Sequence, residues 1–330
     1  MADLTYIILI IVKVAVIFVA ILTGFAFITW VERKTLGHLQ HRMGPAYTGP
    51  FGLLQPVADG VKLIFKEDII PAQAERLYLM IAPIISFIPA FLAFAVIPLG
   101  NPIHIFGRTI PLTISDLNIG VLFVLATTSL GVYGIALAGW SSGSKYSLLG
   151  GIRSSAQMIS YEVAYGLSLV PILMIGGTLS LTELVHQQSS VFDWYVFKNP
   201  VAFILFWICA VAETNRAPFD MPEAESELVG GYHTEYSSMR FAMFFIAEYV
   251  NMITASAVAA TIFFGGWNGP ILPGPHWLIA KILGFMVIYI WLRATFPRVR
   301  YDQLMSMGWK VLFPLALANV LITGIILYVI

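Results

Sequence analysis

The chain reads as an all-α membrane protein, a polytopic helical bundle of about eight transmembrane helices with an interfacial amphipathic helix on the cytoplasmic side. Three observations predict this. Of its 330 residues 58% are hydrophobic and 11% charged, with a mean hydropathy of +0.84, whereas globular chains average about 25% charged. Apolar runs of spanning length recur from end to end. A shorter stretch with a helical apolar stripe lies in the first long loop.

The spans are predicted, in order, at Leu4 to Val31, Tyr78 to Leu99, Leu117 to Trp140, Ala156 to Gly177, Val191 to Ala212, Phe241 to Phe264, Trp277 to Phe296 and Val311 to Ile330. The fifth is interrupted by Asp193, Lys198 and Pro200, so it is expected to be short, tilted or partly interfacial. The first has no cationic lead and no small-residue cleavage site, so it is expected to be a retained span rather than a signal peptide. Short loops join the spans, and a single membrane domain over residues 1–330 is expected.

An even number of crossings leaves both termini on one side. Loops on the face that holds Arg33 to Arg76 collect thirteen Lys and Arg, against Arg108 and Lys198 on the other. The positive-inside rule then places the long loops in the cytoplasm and both termini in the periplasm of a bacterial inner membrane, or the long loops in the matrix if the membrane is mitochondrial.

The amphipathic stretch begins at Leu54. Leu54, Val57, Ala58, Val61, Ile64 and Phe65 fall on one helical face, Asp59, Lys62 and Lys66 on the other, and Pro56 suits a first turn. It is too short to span and is read either as an interfacial helix or as a lid packed on the bundle. In the interfacial reading, this helix with the first and sixth spans frames an opening for a lipid-soluble substrate.

Several classes of chemistry find no support. Net charge is zero, which speaks against nucleic-acid binding. The one cysteine, Cys209, makes neither an intrachain disulfide nor a four-thiolate cluster. The six histidines are scattered over loops, no phosphate-binding glycine loop occurs, and no internal repeat marks a secondary transporter.

Acids carry the remaining signal. Glu213, Asp220, Glu223, Glu225, Glu227 and Glu235 crowd the segment from Glu213 to Arg240. A divalent-metal site there lacks the EF-hand spacing, and no metal is expected. Glu162 and Glu248 lie inside apolar spans, where a charge costs roughly 3 kcal/mol or more and is usually retained for a task. Each lies eight or nine residues beyond an arginine, Arg153 or Arg240, which would put both about 12–14 Å deep. With Tyr161, Tyr165 and Tyr249 beside them they suggest a proton relay. The alternative is structural pairing with Lys13, Lys281, Arg293 or hydroxyls.

At these residues the chain resembles the quinone-chamber membrane subunit of respiratory complex I, the proton-pumping NADH:quinone oxidoreductase. The matching blocks are WVERK from Trp30, GPAYTGPFGLLQPVADGVKL from Gly44, NRAPFDMPEAESELVGGYHTEYS from Asn215, FFIAEY from Phe244 and PRVRYDQL from Pro297. The resemblance implies an enzyme subunit without a redox centre or catalytic residue of its own, with quinone as substrate and with flavin and iron–sulfur clusters in partner subunits. It implies that Arg33, Arg42, Asp59, Arg216, Asp220, Arg293 and Arg298 line or support a quinone tunnel. It also implies that Glu162, Glu213, Glu223, Glu225, Glu227, Glu235 and Glu248 couple quinone reduction to proton translocation. The implied partners are the peripheral-arm iron–sulfur and quinone-site subunits on the cytoplasmic side, other membrane-arm subunits and lipid. A membrane anchor of a hydrogenase-type complex and an independent ion transporter are the competing readings.

Overall fold

A computed structural model describes residues 2–105, 108–221 and 229–329. The polytopic helical bundle expected from composition is what it shows. Seven helices among the described residues are long and apolar enough to cross a membrane. An eighth apolar helix is shorter.

Helix α1 (Ala2–Leu39) is followed by α2 (Gln55–Phe65), α3 (Arg76–Leu92), α4 (Gly120–Ser141) and α5 (Lys145–Gly176). Two short helices, α6 (Leu181–His186) and α7 (Tyr195–Lys198), precede α8 (Pro200–Glu213), and then come α9 (Ser238–Phe263) and α10 (Pro275–Thr295). Helix α11 (Tyr301–Met307) runs through one π turn, Gly308–Leu312, into α12 (Phe313–Val329). Among the described residues a small two-stranded sheet also occurs, β1 (Ile103–Ile105) antiparallel to β2 (Arg108–Ile110), with Ile103 opposite Ile110.

Three boundaries differ from those predicted, each for a local reason. Helix α1 does not stop at Val31 but continues to Leu39, which puts Glu32 and Arg33 on the helix rather than in a loop. Helix α5 begins at Lys145, eleven residues before Ala156, because its first turns pack on protein and need no apolar run. The interrupted fifth segment becomes a 14-residue helix starting at Pro200. Its N-cap Asn199 accepts from the Ala202 N–H at 3.0 Å. Asn199 Nδ2 also donates to Asn319 Oδ1 at 3.3 Å and Thr323 Oγ1 at 3.1 Å on α12, so this short helix starts on satisfied polar groups.

Helix α5 packs against α4, α8 and α12, and α9 against α3 and α10. The α4–α5 contact depends on two glycines. A Cβ on Gly139 would stand 2.8 Å from the Gly151 Cα, so only hydrogen at both positions lets the backbones approach this closely. Helix α5 ends at Gly177, whose φ of 66° and N–H bond to Leu173 O form a left-handed cap. The most apolar window of α9 is 67% buried inside the molecule and that of α1 only 6%. Helix α9 is therefore the core element, and α1 lies at the edge with most of its apolar surface turned outward.

Candidate functional site

Helices α1, α2 and α9 enclose a cavity of about 310 Å3. Phe25, Thr29 and Arg33 of α1 repeat at four-residue spacing and so present one face to it; Pro56, Asp59 and Leu63 come from α2, and Phe241, Ala242 and Phe245 from α9. The walls are mainly apolar. Its charged lining consists of Lys62 and the pair from Arg33 Nη1 to Asp59 Oδ2 at 2.6 Å, with Gln55 Nε2 donating to Asp59 Oδ1 at 3.1 Å. Helix α2 has no fully buried residue, and its stripe faces away from the bundle, with Val57 61% and Phe65 85% exposed. That orientation fits an interfacial helix and not a lid sealed onto protein.

Behind the cavity wall lies an ionic cluster centred on Glu32, a residue not singled out from the sequence. Its side chain is 4% exposed, and Oε1 accepts from Arg216 Nη1 at 3.1 Å and from Arg293 Nη1. Tyr249 donates to Oε2 at 2.6 Å. Arg216 also pairs through Nε with Glu248 Oε1 at 2.6 Å, and its guanidinium carbon lies 4.1 Å from the Tyr249 ring centroid. Burial opposes the charge on Arg216, but Glu248 and Glu32 together outweigh it and hold its pKa well above the ordinary arginine value. Cluster and cavity share a wall, because the Tyr249 ring packs edge-on against Phe25, centroids 5.5 Å apart, and beside Phe245 at 5.1 Å. The helical register carried a signal for Glu32, which follows Phe25 and Thr29 by seven and three positions on the same face of α1.

Deeper in the bundle Glu213, at the end of α8, sits beside Thr128 and within electrostatic reach of Glu162. Glu162 accepts from Ser129 Oγ on α4. Lys13 donates instead to Thr113 O at 3.4 Å, and Lys281 to the carbonyls of Phe264, Gly266 and Asn268. Both lysines are thus engaged by backbone carbonyls, so of the pairing partners expected from sequence a hydroxyl serves Glu162, and Arg293 goes to Glu32. Tyr161 is also committed elsewhere, donating to Leu304 O at 2.8 Å.

The seven expected tunnel residues thus divide. Arg33 and Asp59 line the cavity, Arg216 and Arg293 belong to the Glu32 cluster, and Arg298 Nη2 pairs with Asp220 Oδ2 at 3.5 Å between the loops that follow α8 and α10. Arg42 stands apart on an exposed turn, where its Nε donates to Gln40 Oε1 at 2.7 Å. Among the acids, Glu162, Glu213 and Glu248 form a series through the bundle, and Glu235 is half-buried on the turn before α9. Glu223, Glu225 and Glu227 lie outside the described residues. Near Asp220, burial drives His233 down to about 4 against the opposing pull of that carboxylate.

The NADH dehydrogenase family model matches residues 12–324. An H-type subunit of the NADH-quinone oxidoreductase of Geobacter metallireducens is 56% identical over 98% of this chain and 96% of its own length. Its counterpart from Geobacter sulfurreducens is 56% identical over 97% of this chain and 95% of its own, and that from Thermomicrobium roseum is 55% identical over 91% of each. With identity this high over nearly the whole length, the chain belongs to the NADH dehydrogenase family, as the H-type membrane subunit of an NADH-quinone oxidoreductase.

Proposed function

We propose that this subunit admits a quinone from the bilayer between α1, α2 and α9, and that it relays the electrostatic consequence of quinone reduction to buried carboxylates that move protons. The observation that carries the reading is the shared wall: Phe25 and Phe245 line the cavity, and both touch Tyr249, which is bonded to Glu32 in the Arg216 cluster.

The cavity suits an isoprenoid quinone, since apolar walls accept the tail and the Arg33–Asp59 pair offers polar contacts at the rim. Reduction to the quinol takes two electrons and two protons. The electrons are supplied by an iron–sulfur cluster of a neighbouring subunit. What this chain contributes is a water-poor channel and a set of charges. Arg216 is shared between Glu32 and Glu248, so any negative charge that draws the guanidinium toward the cavity weakens its hold on Glu248, and the released carboxylate takes up a proton. Glu213 and Glu162 continue the series away from the cavity. The cytoplasmic loops face the peripheral-arm subunits, the outer helices face other membrane-arm subunits and lipid, and both termini lie on the periplasmic side.

Asp59→Asn keeps the shape of the rim and removes the charge that holds Arg33. In the purified complex it should raise KM for a long-tailed quinone while NADH oxidation by an artificial flavin-level acceptor stays unchanged. An unchanged inhibitor-sensitive quinone reductase activity would count against a tunnel here.

A further inference from the structure

Helix α2 forms one wall of the cavity yet has no buried residue. Apolar burial therefore does little to fix where it lies against the bundle, and polar ties have to do so. On the α1 side these are the Arg33–Asp59 pair and, just before the helix, the Phe51 carbonyl, which accepts from Trp30 Nε1 at 3.2 Å and from Lys34 Nζ at 3.0 Å.

On the α9 side the ties gather at one place. The chain leaves α2 in an extended conformation at Lys66. Two residues on, Asp68 Oδ1 accepts from Arg240 Nε at 2.9 Å and from Arg240 Nη2. The Ile69 N–H donates to Ser237 Oγ at 2.9 Å, and Ser238 Oγ donates to the carbonyl of Leu63, in the last turn of α2, at 3.0 Å. Ser238 has a φ of 54°, a left-handed conformation that residues with a Cβ adopt rarely and keep only where surrounding contacts hold it. The Arg240 side chain is 10% exposed and that of Asp68 49%, so a nearly buried cation on α9 fixes a carboxylate of the loop after α2. Leu63, Met239 and Phe241 line the cavity. The ties thus stand where the α2 wall meets the α9 wall.

We propose that Asp68, Ser237 and Arg240 form a latch that holds the C-terminal end of α2 against α9 and so sets the width of the cavity for a long-tailed quinone. They are positioning residues: none of the three lines the cavity, and they act through Leu63 and Met239, which do. The proposal rests on the reading of this cavity as the quinone entrance. A long isoprenoid tail stays threaded between α2 and α9 while its head group reacts, whereas a short-tailed analogue leaves that space empty once inside. A loosened wall therefore costs the long-tailed substrate more.

Asp68→Ala in the purified complex tests this by two readings. One is deuterium uptake by the backbone of α2; the other is KM for a long-tailed against a short-tailed quinone, with NADH oxidation by a flavin-level acceptor as the control for assembly. Uptake over α2 should become faster. KM for the long-tailed quinone should rise by up to about fivefold, the limit that loss of a partly exposed ion pair sets on the competent population, and KM for the short-tailed one should stay. Asp68→Glu, which keeps the charge, should restore most of both. Unchanged uptake overturns the latch. Faster uptake with an unchanged long-tail KM overturns its positioning role, as does an equal rise for both quinones. Should Asp68→Ala fail to assemble, Ser237→Ala removes the acceptor of the Ile69 N–H, leaves the ion pair, and is judged by the same outcomes. Asp59→Asn separates this proposal from the entrance reading. If that variant raises KM and Asp68→Ala does not, the latch fails alone; if it leaves inhibitor-sensitive activity unchanged while Asp68→Ala speeds uptake over α2, the entrance reading fails alone.

Discussion

Glu32 shows how a residue's place is decided by its partners. A carboxylate at 4% exposure is tolerated because Arg216, Arg293 and Tyr249 all converge on it. Taking away its charge leaves two cations without their shared anion, and breaking a buried pair in this way costs about 3–5 kcal/mol. Glu32→Gln should therefore reduce the amount of assembled complex in the membrane, measured by native gel, more than Arg33→Gln, whose side chain is 50% exposed. His233 offers a pH test. Burial lowers its pKa from 6.5 to about 4, so the unfolded chain binds a proton that the folded one excludes. Stability is then fully present above about pH 6.5, is lost as the pH falls toward 4 and levels off below that. His233→Gln should flatten the fall of the complex's thermal midpoint across that window.

At the scale of elements, what the sequence made legible was whatever depended on composition and period. The apolar runs located the long helices, and Asp193, Lys198 and Pro200 interrupt the segment whose helix is the short, 14-residue α8. The stripe on α2 was legible in the same way. The extension of α1 past Val31 was not, because Glu32, Arg33 and Lys34 look like a loop until the partners that neutralise Glu32 are in place. Helix packing was hidden for a related reason: Gly139 and Gly151 carry no signal singly, and only their contact makes the α4–α5 crossing. Gly151→Leu forces those backbones apart and should cost about 1–3 kcal/mol or more, read as a lower thermal midpoint of the assembled complex; an unchanged midpoint would contradict the close approach.

On the scale of the whole molecule, the cavity and the Glu32 cluster form one succession into the bundle, and α9 passes through both. Phe241 and Phe245 face the cavity, and Tyr249 and Glu248 meet the cluster. Sequence reading found the acids of this path, Glu162, Glu213 and Glu248, and the resemblance assigned them to proton coupling. It did not find that Arg216 binds two of the carboxylates at once, since Glu32, Arg216 and Glu248 are far apart in the chain and meet only after folding. Nor did it place Asp220 and Arg298, which pair with each other between two loops and are absent from the cavity lining.

The claim that most of this depends on is that charge change at the cavity is answered by proton movement at Glu248. The direct measurement is the proton yield per NADH oxidised, in proteoliposomes carrying the complex with Glu248→Gln. A side chain that still accepts hydrogen bonds but no longer ionises should leave quinone reduction running at a reduced rate with a lower proton yield. A normal yield at a normal rate would contradict the account.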